Sequence, residues 1–372
     1  MDDATFQPNW FSKPGDTLLT LMEQRELTAE ELAQQLGCTN AVVQGVISGA
    51  VSIDHNLAKR LSKHVGGTPK FWETRERKYQ EALSRVADTV PRETKTEWVR
   101  RFPHSEIAKN GWIKHSRNRD ELARAYLAYF GVTDPNEWED RYAKFLKQTH
   151  FRTSPTFQSK AGPLSAWLRQ GEIEAEQVRC KPWNEATLRA SVPQIRTLCK
   201  TKNLSYFLPR LQRLCSEAGV AVVFVRAPSG CVASGATQFI SPTKAMIILS
   251  FRHLSDDHFW FTVFHEIAHL LLHSSELTFI DGEEGFTNKK EKEANEFSEQ
   301  VLVPFDRRDE LLDLKPQRES IVKFAYSIGV SPGIVVGQMQ HHGLIKRKQM
   351  NYLKRRYNWA DIESAVSSRG NA

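Results

Sequence analysis

The sequence predicts a multidomain protein whose N-terminal half is mainly α-helical and whose second half has an α+β fold. Two observations support this prediction. Apolar residues recur at helical spacing from about Gly15 to Leu204, with breaks at glycine and proline. After Gly219, two runs rich in β-branched residues, 220–225 and 245–249, are followed by helical segments and predict a small sheet covered by helices.

Composition narrows the class of protein. The chain has 372 residues, enough for two or three domains of about 100–200 residues each. Its five cysteines are scattered without a Cys-x-x-Cys pair, which argues against a disulfide framework or a thiolate zinc site and favours a reducing, cytoplasmic setting. No apolar run reaches the roughly 18 residues that span a membrane, and the acidic start, Met1-Asp2-Asp3, is unlike a secretory signal. We therefore expect a cytoplasmic protein without a membrane segment.

The charge is positive and unevenly distributed. The formal net charge is +7, which permits nucleic-acid binding without establishing it. Lys and Arg outnumber Asp and Glu by 23 to 14 between residues 85 and 210, and the stretch 341–359 has six basic residues and no acidic one. An electrostatic footprint on DNA would therefore extend beyond the N-terminal domain.

Residues 28–49 have the spacing of a helix-turn-helix. Thr28 and Glu31 form a capping-box pattern, and Gly37 lies where the turn needs a positive φ. In such a motif the second helix presents polar side chains to the major groove, where Asn and Gln can bond an adenine edge. We expect four exposed side chains to contact DNA: Thr39, Asn40, Gln44 and Ser48. The alternative is a helical hairpin used only for packing or dimerisation, because the second helix carries no arginine.

The N-terminal segment 18–79 resembles the lambda-repressor-like (XRE) helix-turn-helix of HigA-type antitoxins. The closest match is Ile53-x-x-Asn-Leu-Ala-Lys-Arg-Leu-x-x-x-Val-Gly-Gly-Thr-Pro-Lys-Phe-Trp72. The resemblance implies a homodimer that binds double-stranded operator DNA. It also implies a toxin as a further partner.

The second half contains His265-Glu266-Ile-Ala-His269. Two histidines at i and i+4 lie on one face of a helix and can bind the same tetrahedral zinc ion. Glu266 follows the first histidine and is suited to act as general base on water during peptide hydrolysis. His273, one turn further, is expected to pack beside the site or support it.

A third ligand is expected from the following helix, about Lys289–Val303. Its glutamates lie at positions 291, 293, 296 and 299. One carboxylate would complete a His₂Glu set and leave the fourth position to water. Spacing alone leaves the choice among the four open.

These two motifs resemble the ImmA/IrrE metallopeptidase family over residues 211–345. The His-Glu-x-x-His sequence is followed by Glu-Ala-Asn-x-Phe-Ser, which ends at Ser298, and by Leu302-x-Pro304. The resemblance implies a gluzincin-like fold and bound Zn²⁺. It also implies Glu293 as third metal ligand, with Glu291 as the alternative, and a role in cleaving XRE-type repressors.

Together these patterns predict a DNA-binding transcriptional regulator that carries a zinc-dependent endopeptidase, whose substrate is an XRE-type repressor or the chain itself. The alternative is a HigA-like antitoxin or repressor whose metallopeptidase-like domain is a sensor or partner-binding module without turnover. We expect an edge strand near 236–240 and an acidic loop at 276–285. The predicted segments are a helix-turn-helix domain (1–84), a basic helical middle region (85–210), the metallopeptidase domain (211–345) and a basic tail (346–372).

Overall fold

The computed structural model describes residues 12–49, 51–143, 161–273 and 286–367, which group into two compact units. The first unit takes the described residues up to 143 together with 161–177 and Pro228–Cys231. The second takes residues 178–227 and the described residues from 232 onward. The segment predicted as a separate middle region, 85–210, is thus divided between the two units.

The regular secondary structure in the described part of the first unit is helical. Residues Glu139–Ala143 form a π-helical turn after the ninth helix. In chain order the α-helices are α1 (Pro14–Gln24), α2 (Ala29–Leu36), α3 (Asn40–Ser48), α4 (His55–Val65), α5 (Pro69–Thr89), α6 (Arg92–Val99), α7 (His104–Lys109), α8 (Arg119–Phe130), α9 (Pro135–Trp138) and α10 (Ala161–Gln177).

The predicted start and turn of the helix-turn-helix are confirmed as local structure. The Thr28 N–H donates to Glu31 Oε2 at 2.8 Å, and the Glu31 N–H donates to Thr28 Oγ1 at 3.2 Å, so the capping box satisfies two free amides of α2. Gly37 ends α2 with φ +62°, a conformation that favours glycine. Helices α1 to α5 enclose one apolar core, which includes Leu18, Leu32, Val43, Ile47, Leu57, Leu61 and Trp72.

Helix α10 is tied to α8 and also contacts α3. The Tyr129 hydroxyl donates to the Ala166 carbonyl at 2.7 Å, and Arg169 Nε donates to the Tyr129 carbonyl at 2.9 Å. Arg169 also pairs with Glu172 at 2.7 Å. Since a buried guanidinium is costly without such partners, these bonds fix α10 against α8, and α10 in turn packs on α3.

The second unit combines a small sheet with helices. Its strands are β1 (Val220–Phe224), β2 (Gly235–Ser241) and β3 (Lys244–Leu249). Its α-helices are α11 (Glu185–Leu198), α12 (Leu204–Ser216), α13 (Asp256–His273), α14 (Phe286–Leu302), α15 (Arg308–Leu312), α16 (Arg318–Ile328), α17 (Pro332–His341) and α18 (Trp359–Ser367). The acidic loop expected at 276–285 lies outside the described residues.

The three strands form a mixed sheet in the order β1-β3-β2. β1 is parallel to β3, with Val220 opposite Ala245, and β2 is antiparallel to β3, with Gly235 opposite Leu249. The predicted strands are therefore confirmed, and β2 is an edge strand as expected. The chain is mostly helical, with a small sheet in its second half, as the α-rich and α+β prediction requires.

The N-terminus of α13 is fixed by two buried carboxylates. Asp257 Oδ2 accepts from Lys354 Nζ at 2.6 Å, and both side chains are under a tenth exposed. Asp256 accepts from the Ser331 hydroxyl at 2.6 Å and from the Arg355 N–H at 3.0 Å. Lys354 and Arg355, which lie in the segment predicted as a basic tail from residue 346, thus pack into the second unit; the predicted domain bounds stay a prediction.

No described helix is by itself long and apolar enough to cross a membrane; the consecutive helices α16 and α17 meet the limits of length and composition only as a pair, with a bend of 107° between them.

Candidate metal centre

Helix α13 runs through the core of the second unit and contains most of the residues of the candidate site. Nearly every residue of α13 is buried, which fits its apolar sequence, and the helix packs against β2, β3 and α14. His265 and Glu266 are 4% and 5% exposed. A helix held on all sides fixes these polar side chains in position, which a metal site requires.

Three side chains place one donor atom each around a common point. His265 Nε2 and His269 Nε2 lie 3.1 Å apart. The two oxygens of Glu291 lie 3.3 Å from these nitrogens, Oε2 facing His265 and Oε1 facing His269. Ligands 2.0–2.1 Å from a tetrahedral zinc ion are separated by about 3.3 Å, so His265, His269 and Glu291 fit one zinc ion, and the described residues place no fourth donor beside them.

The structure does not bring Glu293, the residue predicted as third ligand, to this point. Glu293 Oε2 instead contacts His273 Nε2 at 3.0 Å. Glu291 shares a helical face with Ala294 and Ser298, both fully buried in α14, whereas Glu293 lies about 100° around the helix from Ala294. The alternative named from the sequence, Glu291, is the residue that faces the two histidines.

The carboxylate of Glu291 is stabilised in its charged form. Burial by itself raises the pKa of Glu291, but hydrogen bonds and charge interactions with His265 and His269 outweigh burial and lower that pKa to about 2. An anionic carboxylate beside two imidazoles is the donor set that zinc prefers.

Glu266 lies between the two histidines and strand β2. Thr237 Oγ1 donates to Glu266 Oε2 at 2.8 Å. A Cβ atom at Gly235 would lie 2.6 Å from both Glu266 Oε1 and Thr262 Cγ2, so only glycine lets the strand pass this close. Burial raises the pKa of Glu266, opposed by His265, His269 and the Thr237 hydrogen bond. Glu266 is therefore a buried carboxylate with a raised pKa, held beside the two histidines.

His273 lies beside the centre and is not one of the three clustered donors. Its Nδ1 is 3.2 Å from His269 Nδ1, on the side of that ring opposite the donor cluster. The expectation that His273 packs beside the site is confirmed.

The predicted DNA-contacting residues lie on or next to α3, but not all are exposed. Thr39 precedes α3 and is exposed, and Asn40 Nδ2 donates to Glu30 Oε1 at 3.0 Å. Gln44 forms a two-way amide pair with Gln177 of α10, with Gln44 Nε2 donating to Gln177 Oε1 at 2.6 Å.

Ser48 is 4% exposed and donates to the Gly45 carbonyl at 3.1 Å. The expectation that Ser48 is an exposed polar group is therefore wrong, and Gln44 is half-buried by α10. The role of the four residues in binding DNA stays a prediction.

The comparison with protein families agrees with the site. Residues 215–337 match the family model of the IrrE N-terminal-like domain (Peptidase_M78). This range includes His265, Glu266, His269 and Glu291, and it supports a metallopeptidase-like domain of ImmA/IrrE type in this part of the chain. The match begins after the helix-turn-helix, whose resemblance to XRE and HigA proteins stays a prediction. No curated protein and no solved structure matches the chain significantly.

Two features of the site were missed in the sequence. Gly235 and Thr237 are two residues apart on β2 and therefore face the same side of the sheet. Only the packing of β2 on α13 shows that this side meets Glu266. Glu291 could have been chosen from α14 itself: the small residues Ala294 and Ser298, at i+3 and i+7 from Glu291, mark the face on which another helix approaches closely.

Proposed function

We propose that the second unit is a zinc-dependent endopeptidase that cuts a regulatory protein, either an XRE-type repressor or this chain itself. The observation that carries the proposal is the convergence of His265, His269 and Glu291 on one point, with the buried Glu266 beside them and held by Thr237. A structural zinc site would use four protein ligands, whereas three ligands and an adjacent carboxylate are typical of hydrolytic sites.

In this proposal Glu266 moves the protons of the reaction. His265, His269 and Glu291 would hold the zinc ion, which would supply Lewis acidity to lower the pKa of water and polarise the scissile carbonyl. Glu266 accepts the proton from the attacking water and then delivers it to the amine nitrogen of the leaving peptide. Thr237 holds one carboxylate oxygen of Glu266, Oε2, and so fixes the orientation of the carboxylate.

Strand β2 is the element that we propose to hold the peptide. Among the described strands, β2 pairs with β3 on one side only, and it runs past Glu266 at Gly235 and Thr237. A peptide added to this edge in extended form would make main-chain hydrogen bonds and cross the site beside the catalytic carboxylate. Such binding depends little on side chains and suits an endopeptidase.

The N-terminal unit is proposed to bind double-stranded operator DNA as a homodimer through α3. The capping box and the Gly37 turn support a helix-turn-helix, and Thr39 remains exposed at the start of α3. Because Gln44 is paired with Gln177, reading a base with Gln44 requires that this pair open. This role is tested by selecting the sequences that the chain binds from a random duplex library. Thr39→Ala and Asn40→Ala are compared with the wild type, and Lys63→Ala, at an exposed residue, is the control.

The peptidase is tested with zinc-loaded full-length chain and the Glu266→Gln variant. Each is incubated with a degenerate decapeptide library and alone, and new termini are identified by mass spectrometry. We expect cleavage by the wild type only, with zinc content equal in both proteins. Equal cleavage by the variant would contradict the proposed role of Glu266.

A wild type that binds zinc and cuts nothing would favour the second candidate. In that case the chain is a HigA-like antitoxin or repressor, with a toxin as partner, and its metallopeptidase-like domain is a sensor or partner-binding module without turnover. The observation in its favour is the helix-turn-helix, which the family match leaves unexplained.

A further inference from the structure

A chain of polar contacts leads away from the metal centre on the side opposite the three donors. His269 uses Nε2 toward His265 and Glu291, while its other ring nitrogen, Nδ1, lies 3.2 Å from His273 Nδ1. His273 Nε2 in turn lies 3.0 Å from Glu293 Oε2. His273 is 5% exposed, so little of its ring is open to bulk water.

The hydrogens in this chain can be assigned from the chemistry of imidazole. Two ring nitrogens at hydrogen-bond distance need one donor and one acceptor. A histidine that binds metal through Nε2 carries its hydrogen on Nδ1. His269 Nδ1–H must therefore donate to His273 Nδ1, which leaves the hydrogen of His273 on Nε2, where it donates to the Glu293 carboxylate. Every nitrogen then has a partner with both rings neutral.

We infer that His273 and Glu293 are positioning residues, which fix the ring orientation and the tautomer of the metal ligand His269. The inference rests on the proposed function, because it presumes that the His265, His269 and Glu291 cluster binds metal. It also gives a role to Glu293, which the cluster does not use.

The other ligand histidine has no such support among the described residues. His265 Nδ1 is buried and makes no hydrogen bond there. The two ligand rings are thus held differently, His265 by packing in the core and His269 by a hydrogen-bonded pair. We therefore expect metal affinity to be sensitive to His273, although His273 does not touch the metal.

The test is zinc affinity of the full-length chain, measured by competition with a chromophoric chelator. His273→Leu removes the acceptor, and we expect zinc to bind about 10–100-fold more weakly, as for other partners of ligand histidines. His273→Asn keeps a carbonyl oxygen near the position of Nδ1, and we expect it to recover part of the loss. Circular dichroism shows whether each variant is folded.

Glu293 is tested with a matched control on the same helix. Glu293→Gln removes the charge that His273 donates to, and we expect a loss of about tenfold or less. Glu296→Gln makes the same chemical change one turn along α14, at a side chain that is 54% exposed and contacts Lys292, and we expect no loss. In the His273→Leu background Glu293→Gln should have no further effect, because Glu293 acts through His273.

A second readout reports the tautomer directly. In a long-range proton–nitrogen correlation spectrum of the zinc-loaded protein, we expect the His269 hydrogen on Nδ1 and the His273 hydrogen on Nε2. Unchanged affinity in His273→Leu, or an equal effect of Glu293→Gln in both backgrounds, would overturn the inference while leaving the metal site intact. Absence of zinc binding in the wild type would overturn the proposed function and this inference together.

Discussion

The hydroxyl of Thr237 donates to the carboxylate of Glu266 at 2.8 Å, linking the edge strand β2 to the residue proposed as general base. Both side chains are almost fully buried, at 4% and 5% exposure, so water does not compete for this bond. The strand proposed to hold the peptide therefore also orients the group that exchanges its protons.

Thr237→Val keeps the shape of the side chain and removes this donor. A hydrogen bond to a charged group contributes about 1.5–3 kcal/mol, so we expect peptide cleavage to slow by roughly 10–100-fold. Zinc content should be unchanged, because Thr237 contacts none of the three donors. Thr237→Ser retains the hydroxyl and is the matched control; a loss of rate in Thr237→Ser equal to that in Thr237→Val would contradict the role of the bond.

Gly235→Ala tests the close approach of β2 to α13. Its Cβ would meet Thr262 Cγ2 and Glu266 Oε1 at 2.6 Å, so the strand or the Glu266 side chain must move. We expect cleavage to fall by at least about tenfold, since a small misplacement of catalytic groups has large effects, while zinc remains bound. Cleavage at the wild-type rate would show that Glu266 is not confined between α13 and β2.

Lys354→Met leaves the buried carboxylate of Asp257 without its cation. Removing one partner of a buried ion pair costs about 3–5 kcal/mol, and we expect the free energy of unfolding to fall by that order. Urea denaturation measures it, with the exposed Lys348→Met expected to change stability by less than about 0.5 kcal/mol. Equal stability of the two variants would mean that the C-terminal segment does not fix α13.

Asp256 makes stability depend on pH. Burial, reinforced by Asp257 and opposed by the Ser331 hydrogen bond, raises the pKa of Asp256 to about 6. The folded chain thus holds this proton more tightly than the unfolded chain, where Asp titrates near about 3.9. The stabilisation is present at low pH and is lost as pH rises through about 4 to 6, and it is on the order of 3 kcal/mol.

The measurement for Asp256 is the unfolding free energy of the wild type minus that of Asp256→Asn, obtained by urea denaturation at several pH values. We expect this difference to decrease between about pH 4 and pH 6 and to stay constant above that window. A difference that increases with pH across the window would contradict a raised pKa.

Local patterns in the sequence predicted the elements that carry the site. The apolar sequence of α13 indicates a buried helix, and the β-branched runs of β1 and β3 indicate buried strands. These patterns depend only on neighbouring residues, and the predicted positions of the three elements were confirmed. The spacing of His265 and His269 likewise fixes one helical face. These features need no knowledge of which elements meet.

Contacts between distant elements were not predictable in the same way. The choice of Glu291 over Glu293 depends on how α14 is rotated against α13, and in the sequence only the small residues Ala294 and Ser298 indicate that rotation. The pairing of Gln44 with Gln177 depends on α10, more than 100 residues further along the chain. Lys354 and Arg355 resemble a solvated charge run until Asp256 and Asp257 are brought to them.

The assignment of His265, His269 and Glu291 as the metal centre is tested most directly by metal content. Plasma mass spectrometry measures it in the untagged 372-residue chain for the wild type, Glu291→Gln and Glu293→Gln. We predict about one zinc per chain in the wild type and in Glu293→Gln at protein concentrations well above the dissociation constant, and little or none in Glu291→Gln. Zinc lost from Glu293→Gln and retained by Glu291→Gln, or a wild type that binds no zinc, would contradict the assignment of His265, His269 and Glu291 as the metal centre.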